Sequence, residues 1–320
     1  MRKNILLLET VADKGMRMLE RANDVNILTG FDEFSLKNKI ANHSIDAIIT
    51  RGKGLVDSSL LKKLPNLKVI SRCGVGLDNI DVIAATKKNI KVVNAPNSNA
   101  DTIAEHTIAL LLMLQRNLYS TVTMTKEGRW ADRSTYVGDE SHSKTLGIVG
   151  MGNIGKKVAK IATALGMKVI YWSAAKEAVP YPFVSFEDLL KTSDSISLHL
   201  PLTSTTAHLI DAPALSKMKP SALLINTARG KIIDQDALYT MLIKKRIGGF
   251  AADVLAQEPP LSTEPLLQLE NVLVTAHLGS LTSTTYTKMC TMTVKNTLAI
   301  LRGEEPMEYC IFNRKELEIN

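Results

Sequence analysis

Residues 146–177, "LGIVGMGNIGKKVAKIATALGMKVIYWSAAKE", decide the fold class. The apolar run 146–149 leads into Gly150, Gly152 and Gly155, after which apolar positions recur at helical spacing through Val158, Ile161, Ala162 and Leu165. A second apolar run, 167–172, closes the unit. The order strand, tight turn, helix, strand is that of a βαβ crossover in a parallel sheet.

The three glycines have separate tasks. One permits the tight turn, the next lets the backbone approach a pyrophosphate, and Gly155 allows the helix to pack closely on the strand. The first helical residues, Asn153 and Ile154 among them, then present unpaired N–H groups and the positive end of the helix dipole to phosphates. In such sites an acidic residue at the end of the second strand usually accepts the adenosine ribose. Here the chain reads Ser173, Ala174, Ala175, Lys176. Serine repels nothing and Lys176 attracts a 2′-phosphate, so the site admits NADP; Glu177, a few residues on, leaves NAD open.

Outward from this unit, apolar runs at 5–8, 25–28, 47–50, 69–71 and 92–94 alternate with helical stretches, and a second series continues at 195–200, 222–226, 249–253 and 272–275. Two α/β units with parallel sheets therefore share one chain. A strongly apolar segment from Asp101 to about Met124 is expected to form one long helix, and 285–301 a late one. If the first carries the chain into the second unit, the late one can carry it back.

The 320 residues contain 45% hydrophobic and 22% charged residues, a globular composition with room for about two cores. No apolar run approaches the roughly 18 residues of a membrane span, and the N-terminal "MRKNILLLET" stops at Glu9 without a cleavage signal. Cys73, Cys290 and Cys310 form no CxxC pair, which indicates neither a zinc site nor a disulfide framework and suits a cytoplasmic location. The net charge of +7 fits an anionic substrate and cofactor. No basic run interleaved with aromatics points to nucleic acid.

Five stretches together resemble the D-isomer-specific 2-hydroxyacid dehydrogenases, most closely the 3-phosphoglycerate dehydrogenase branch: "SRCGVGLDNID" at 71–81, the glycine loop, "INTARGKIID" at 225–234, "AADVLAQEPP" at 251–260 and "VLVTAHLGS" at 272–280. The similarity runs from about residue 45 to 305 in the family's order. It implies a Rossmann cofactor domain (99–281) inserted into a flavodoxin-like substrate domain (1–98 with 282–320), both doubly wound, with the active site in the cleft, and a homodimer. It further implies that Arg229 binds the substrate's carboxylate and carbonyl oxygen, that His277 is the acid/base and that Glu258 orients it. Asp253 is placed near the nicotinamide carboxamide. Thr102, Thr227, Ala228 and Gly279 are placed beside the cofactor, Glu105 near the cleft, and His199 and Pro201 toward the adenine. The chain stops soon after the last helix, so the regulatory module of some phosphoglycerate dehydrogenases is not expected.

The chemistry argues independently for these roles. Hydride transfer to a 2-keto acid builds negative charge on the carbonyl oxygen, which calls for a proton donor titrating near neutrality and a fixed cation. Of the six histidines, His277 follows a strand pattern at its C-terminal end, where open α/β sheets gather their ligands; taken alone, such a residue is a structural histidine more often than a catalyst. Arg229 offers a bidentate fork to a carboxylate. "CGVG" at 73–76 puts glycines after a strand, and the amides of Val75 and Gly76 are candidates for the substrate carboxylate. Arg51 and Arg72 end adjacent strand patterns and align with phosphate-contacting arginines of the family, although pairing of Arg51 with Asp78 or Asp81 is open. Ala276 stands where the family commonly has proline, which is expected to loosen the loop that sets His277. A nucleotide-sensing corepressor of the same fold is the alternative function. No sign of the polar set for formate oxidation is seen, and no metal is expected.

Overall fold

The computed structural model describes residues 2–52 and 54–317. The chain forms two units, Met1–Asn99 with Leu281–Asn320, and Ala100–Ser280.

In the first unit β1 (Lys3–Leu7), β2 (Val25–Thr29), β3 (Ala47–Thr50), β4 (Val69–Arg72) and β5 (Lys91–Val93) make an all-parallel sheet in the order β2-β1-β3-β4-β5. The helices are α1 (Asp13–Glu20), α2 (Glu33–Asn42), α3 (Ser58–Lys62), α4 (Val82–Lys87) and the late helix Ser283–Arg302, numbered α11 below. The strand period of two splits the apolar side chains between two layers. Ile5, Leu7 and Ile49 pack with Leu19 of α1 and Val294 and Leu298 of α11, whereas Leu6, Ile48 and Ile70 pack with Leu60, Leu61 and Ala85 of α3 and α4. Each such burial stabilises by roughly 1.5–3 kcal/mol, so both helical layers are bound to one sheet.

The second unit carries β6 (Thr145–Val149), β7 (Lys168–Trp172), β8 (Ser195–Leu198), β9 (Leu223–Asn226), β10 (Gly249–Ala252) and β11 (Val272–Val274), again all parallel, in the order β11-β10-β9-β8-β6-β7. Its helices are α5 (Ala100–Gln115), α6 (Leu118–Lys126), α7 (Asn153–Ala164), α8 (Phe186–Thr192), α9 (Ala212–Lys217) and α10 (Gln235–Ile243). Leu146, Ile148 and Tyr171 pack with Ile108 and Leu111 of α5 and Val158 of α7; Val149, Ile196 and Leu198 face Leu189, Leu215 and Leu238 of α8–α10.

The single helix expected over 101–124 is two. Asn117 adopts the left-handed conformation (φ 45°), which asparagine tolerates better than most residues, and the chain breaks there between α5 and α6. The strand expected over 195–200 stops at Leu198, which leaves His199 and Pro201 in the loop that follows.

Candidate active site

Because every strand of the second sheet is parallel, all its C-terminal ends open on one edge. The residues singled out above lie along that edge: the glycine loop after β6, Ser173 and Lys176 after β7, His199 and Pro201 after β8, Thr227, Ala228 and Arg229 after β9, Asp253 and Glu258 after β10, and His277 and Gly279 after β11. Strand order reverses direction around β6, with β7 on one side and β8 on the other, and ligands of open α/β sheets bind at such a switch point.

The glycine loop sits at this point. Gly150 has φ +101°, and a Cβ there would lie 2.5 Å from the His199 carbonyl oxygen, so the strand-to-helix turn can pass β8 only without a side chain. A Cβ on Gly152 would meet nothing within 4 Å, and no side chain caps α7. The backbone thus presents a bare helix N-terminus and open space to a pyrophosphate, and the loop fits a dinucleotide. Beyond β7, the Ser173 hydroxyl donates to the Ala175 carbonyl at 2.5 Å, and Glu177 pairs with Lys156 of α7 at 2.8 Å. Thr227 is held by Thr107 of α5, Oγ1 to Oγ1 2.8 Å, and Ala228 N–H donates to Asn226 Oδ1. Thr102 is half-buried on the first turn of α5 and Glu105 is exposed. The His199 ring turns back to Ser197 (Nε2–Oγ 2.8 Å), and burial pushes its pKa down to about 3, so it is neutral.

His277 and Glu258 come together. His277 Nδ1 lies 2.6 Å from Glu258 Oε2, while the other carboxylate oxygen accepts the Leu255 amide at 3.1 Å. That hydrogen bond raises the pKa of His277; burial opposes it, the charges of Glu258 and Asp253 add to it, and the Arg229 guanidinium works against it. Donation from Nδ1 to the carboxylate leaves Nε2 as the ring nitrogen not engaged by Glu258. Arg229 Nη1 bonds its neighbour's carbonyl, Ala228 O, at 2.7 Å, and Gly230 packs directly on the backbone of Leu255 and Ala256, which joins the arginine loop to the glutamate loop.

Asp253 is 2% exposed, and its carboxylate organises the histidine loop. Oδ1 accepts Thr275 Oγ1 (2.6 Å) and the Leu278 amide (2.9 Å), and Oδ2 accepts the Gly279 amide (2.8 Å). Burial raises its pKa, but the bonds from His106, Thr275, Gly279 and Leu278 outweigh burial and hold it below the usual value. Alanine at 276 leaves the loop with these ties, and with the His277 amide bonded to the Asp253 and Thr275 carbonyls at 2.9 and 3.0 Å. Sequence reasoning missed His106, which lies 3.0 Å from Thr275 Oγ1 and 3.5 Å from Asp253 Oδ1. It sits between Glu105 and Thr107 in the polar first half of α5, where nothing in the sequence sets it apart.

In the first unit, Arg51 and Arg72 follow or end the neighbouring strands β3 and β4, where Thr50 is in register with Arg72. Arg51 is not isolated: its Nε is 3.7 Å from Glu9 Oε2 and its guanidinium lies 5.4 Å from the centre of the Tyr286 ring. Glu9 Oε1 also accepts the amides of Arg51, Gly52 and Gly54 at 2.9, 2.6 and 3.0 Å, so an internal carboxylate fills the turn after β3. Asp81 caps α4 through Ala84 N–H. Arg72 folds back on Gly74. Among the described residues no protein acceptor meets the amides of Val75 and Gly76, while Val75 O accepts Asn94 Nδ2 at 2.7 Å. Cys73 is buried in the core of the first unit. No group of residues that could hold a metal ion and no helix long and apolar enough to cross a membrane occurs among the described residues.

Two parallel α/β sheets, a bare glycine turn at a switch point and a carboxylate-paired histidine on the same edge define a nucleotide-binding oxidoreductase architecture. Residues 108–279 match the model of the D-isomer specific 2-hydroxyacid dehydrogenase, NAD binding domain, and the chain belongs to that family of NAD(P)-dependent oxidoreductases acting on CH–OH donors. It is 36% identical over 320 residues to a glyoxylate reductase of Thermococcus litoralis, covering 96% of each chain. It is 38% identical over 283 residues to a D-3-phosphoglycerate dehydrogenase of Synechocystis, covering 87% of this chain and 50% of the other, so it spans about half the length of that relative. The crystal structure of the TT0316 protein from Thermus thermophilus superposes with a TM-score of 0.88 at 35% identity, over 95% of this chain and 98% of that one.

Proposed function

We propose that the protein transfers a hydride between NAD or NADP and a small anionic 2-hydroxy or 2-keto acid. The observation that carries this reading is the 2.6 Å His277–Glu258 pair on the same sheet edge as the glycine loop. The nicotinamide, when bound, supplies or accepts the hydride. His277, held as imidazolium by Glu258, donates the Nε2 proton to the nascent alkoxide in reduction and takes it back in oxidation. Arg229 binds the carboxylate and the developing oxyanion. Gly150, Gly152, Asn153, Ile154 and Gly155 hold the pyrophosphate, Ser173 and Lys176 the adenosine ribose or its 2′-phosphate, and Thr102, His199, Pro201, Thr227, Ala228, Asp253 and Gly279 line the cofactor.

The first unit is assigned the substrate: Val75 and Gly76 amides for its carboxylate, Arg51 and Arg72 for a second anionic group. Two guanidinium groups exceed what a small monoanion needs, which favours 3-phosphoglycerate or a dicarboxylic acid. Glu9 counters part of the Arg51 charge, so Arg72 carries more of this task. The protein is assigned to the cytoplasm as a homodimer through α6 and the segment after it, where Leu118, Tyr119, Val122, Trp130 and Val137 are exposed; sedimentation of a monomer at micromolar concentration would overturn the dimer. The reading as a whole is tested by turnover with a panel of 2-keto acids and both cofactors. Turnover is expected, and none with any acid would leave a nucleotide sensor instead.

A further inference from the structure

We infer that His106 is a positioning residue of the acid/base site, acting through Thr275 and Asp253 on the loop that carries His277. The inference rests on the reading of His277 as the acid/base. The hydrogen-bond inventory fixes the direction. Thr275 has one hydroxyl proton, and its shortest partner is the anionic Asp253 Oδ1 at 2.6 Å, against 3.4 Å for the Ala252 carbonyl. The proton therefore goes to the carboxylate, which is the stronger acceptor. At 3.0 Å from His106 Nε2, Thr275 Oγ1 is then the acceptor, and Nε2–H is the donor. The same N–H lies 3.5 Å from Asp253 Oδ1.

His106 thus fixes which way the threonine hydroxyl points, and the hydroxyl fixes the rotation of the Asp253 carboxylate. In that rotation Oδ1 and Oδ2 capture the amides of Leu278 and Gly279, the two residues after His277. His277 itself sits at φ +51°, a left-handed conformation that a histidine keeps only when its neighbours are held. The packing agrees with the bonding. A Cβ on Gly279 would fall 2.8 Å from Asp253 Oδ2 and 3.0 Å from His106 Cδ2, so the loop closes against both the carboxylate and the imidazole with no room for a side chain. The chain of contact is continuous within one unit: α5, Thr275, Asp253, the amides after His277, and His277 with Glu258.

The test uses His106→Leu, which keeps an apolar body against Gly279 but has no donor, His106→Gln, whose amide replaces the donor, and Thr275→Val. Hydrogen exchange at Leu278 and Gly279, which needs no turnover, is expected to speed up about tenfold in His106→Leu, as loss of one bond to a network on a charged group implies. His106→Gln should restore most of the protection. In kinetics, kcat for keto-acid reduction should fall by a similar factor, and the alkaline limb of the pH profile should move to lower pH because a loosened loop holds His277 less firmly against Glu258. Thr275→Val, which also removes the bond to Asp253, should lose at least as much as His106→Leu, and the double variant should lose no more than Thr275→Val alone. Unchanged exchange in His106→Leu, failure of glutamine to rescue, or additive losses would overturn the inference. Absence of turnover in the wild type would instead overturn the functional reading, and the exchange experiment would still decide the role of His106.

Discussion

Replacing Asp253 with asparagine measures how firmly the histidine loop is held. The carboxylate accepts three donors within 2.9 Å, two on Oδ1 and one on Oδ2. An amide can satisfy one oxygen position only. Turned with its NH2 toward Gly279 it loses one bond and sets its own donor against the Gly279 N–H; turned the other way it loses two bonds. The first orientation is favoured, and a buried charge-assisted bond contributes about 1.5–3 kcal/mol, so the loss is about 2 kcal/mol. For a unit of this size each kcal/mol lowers the melting midpoint by about 2–4 °C, which gives a fall of about 6 °C. Both tryptophans, Trp130 and Trp172, lie in the second unit, so intrinsic fluorescence reports its melting selectively. The sign with pH follows from the depressed pKa. Asp253 stabilises the fold above the ordinary aspartate pKa of about 3.9, and that contribution is lost as pH falls through the lower folded value. The difference between wild type and Asp253→Asn should therefore narrow below about pH 4. A difference under about 1 °C at pH 7, or one independent of pH, would refute the assignment of these bonds as the loop's main tie.

Glu258→Gln removes the group that raises the His277 pKa, so the alkaline limb of the reduction profile, where the imidazolium is lost, should move to lower pH; an unmoved limb in the ratio kcat/KM removes Glu258 from the proton path. Ser173→Asp should lower kcat/KM with NADPH selectively by repelling the 2′-phosphate, and equal effects on both cofactors would place the ribose elsewhere. Arg72→Ala should lower kcat/KM for 3-phosphoglycerate about tenfold more than for lactate, as loss of one charge-assisted contact implies, and equal losses would make Arg72 a support of its own loop.

The fold was legible because buried parallel strands are short, continuous apolar runs, and eleven of them with a glycine loop leave few alternatives to two doubly wound sheets. The break at Asn117 was not, since nothing in an apolar, helix-forming run marks where a tertiary layer ends. In the site, Arg229, Glu258 and His277 were legible through the motifs that carry the family resemblance; taken alone, each reads as an ordinary structural or loop residue. The partners of Asp253 did not: His106 and Thr275 are 169 residues apart and meet only because α5 packs against the sheet. Glu9 was hidden for the same reason. It reads as the end of a first strand, and only the β1–β3 pairing brings it to the amides of Arg51, Gly52 and Gly54, where it tempers Arg51.

The central claim, that His277 moves the proton, is tested most directly by His277→Ala in the presence of a turned-over keto acid. With the 2.6 Å pair to Glu258 as its basis, the account predicts a fall in kcat of roughly 10²–10⁴-fold while the dissociation constant of the reduced cofactor, read by fluorescence, stays within about twofold. Retention of more than half of the wild-type kcat would contradict it.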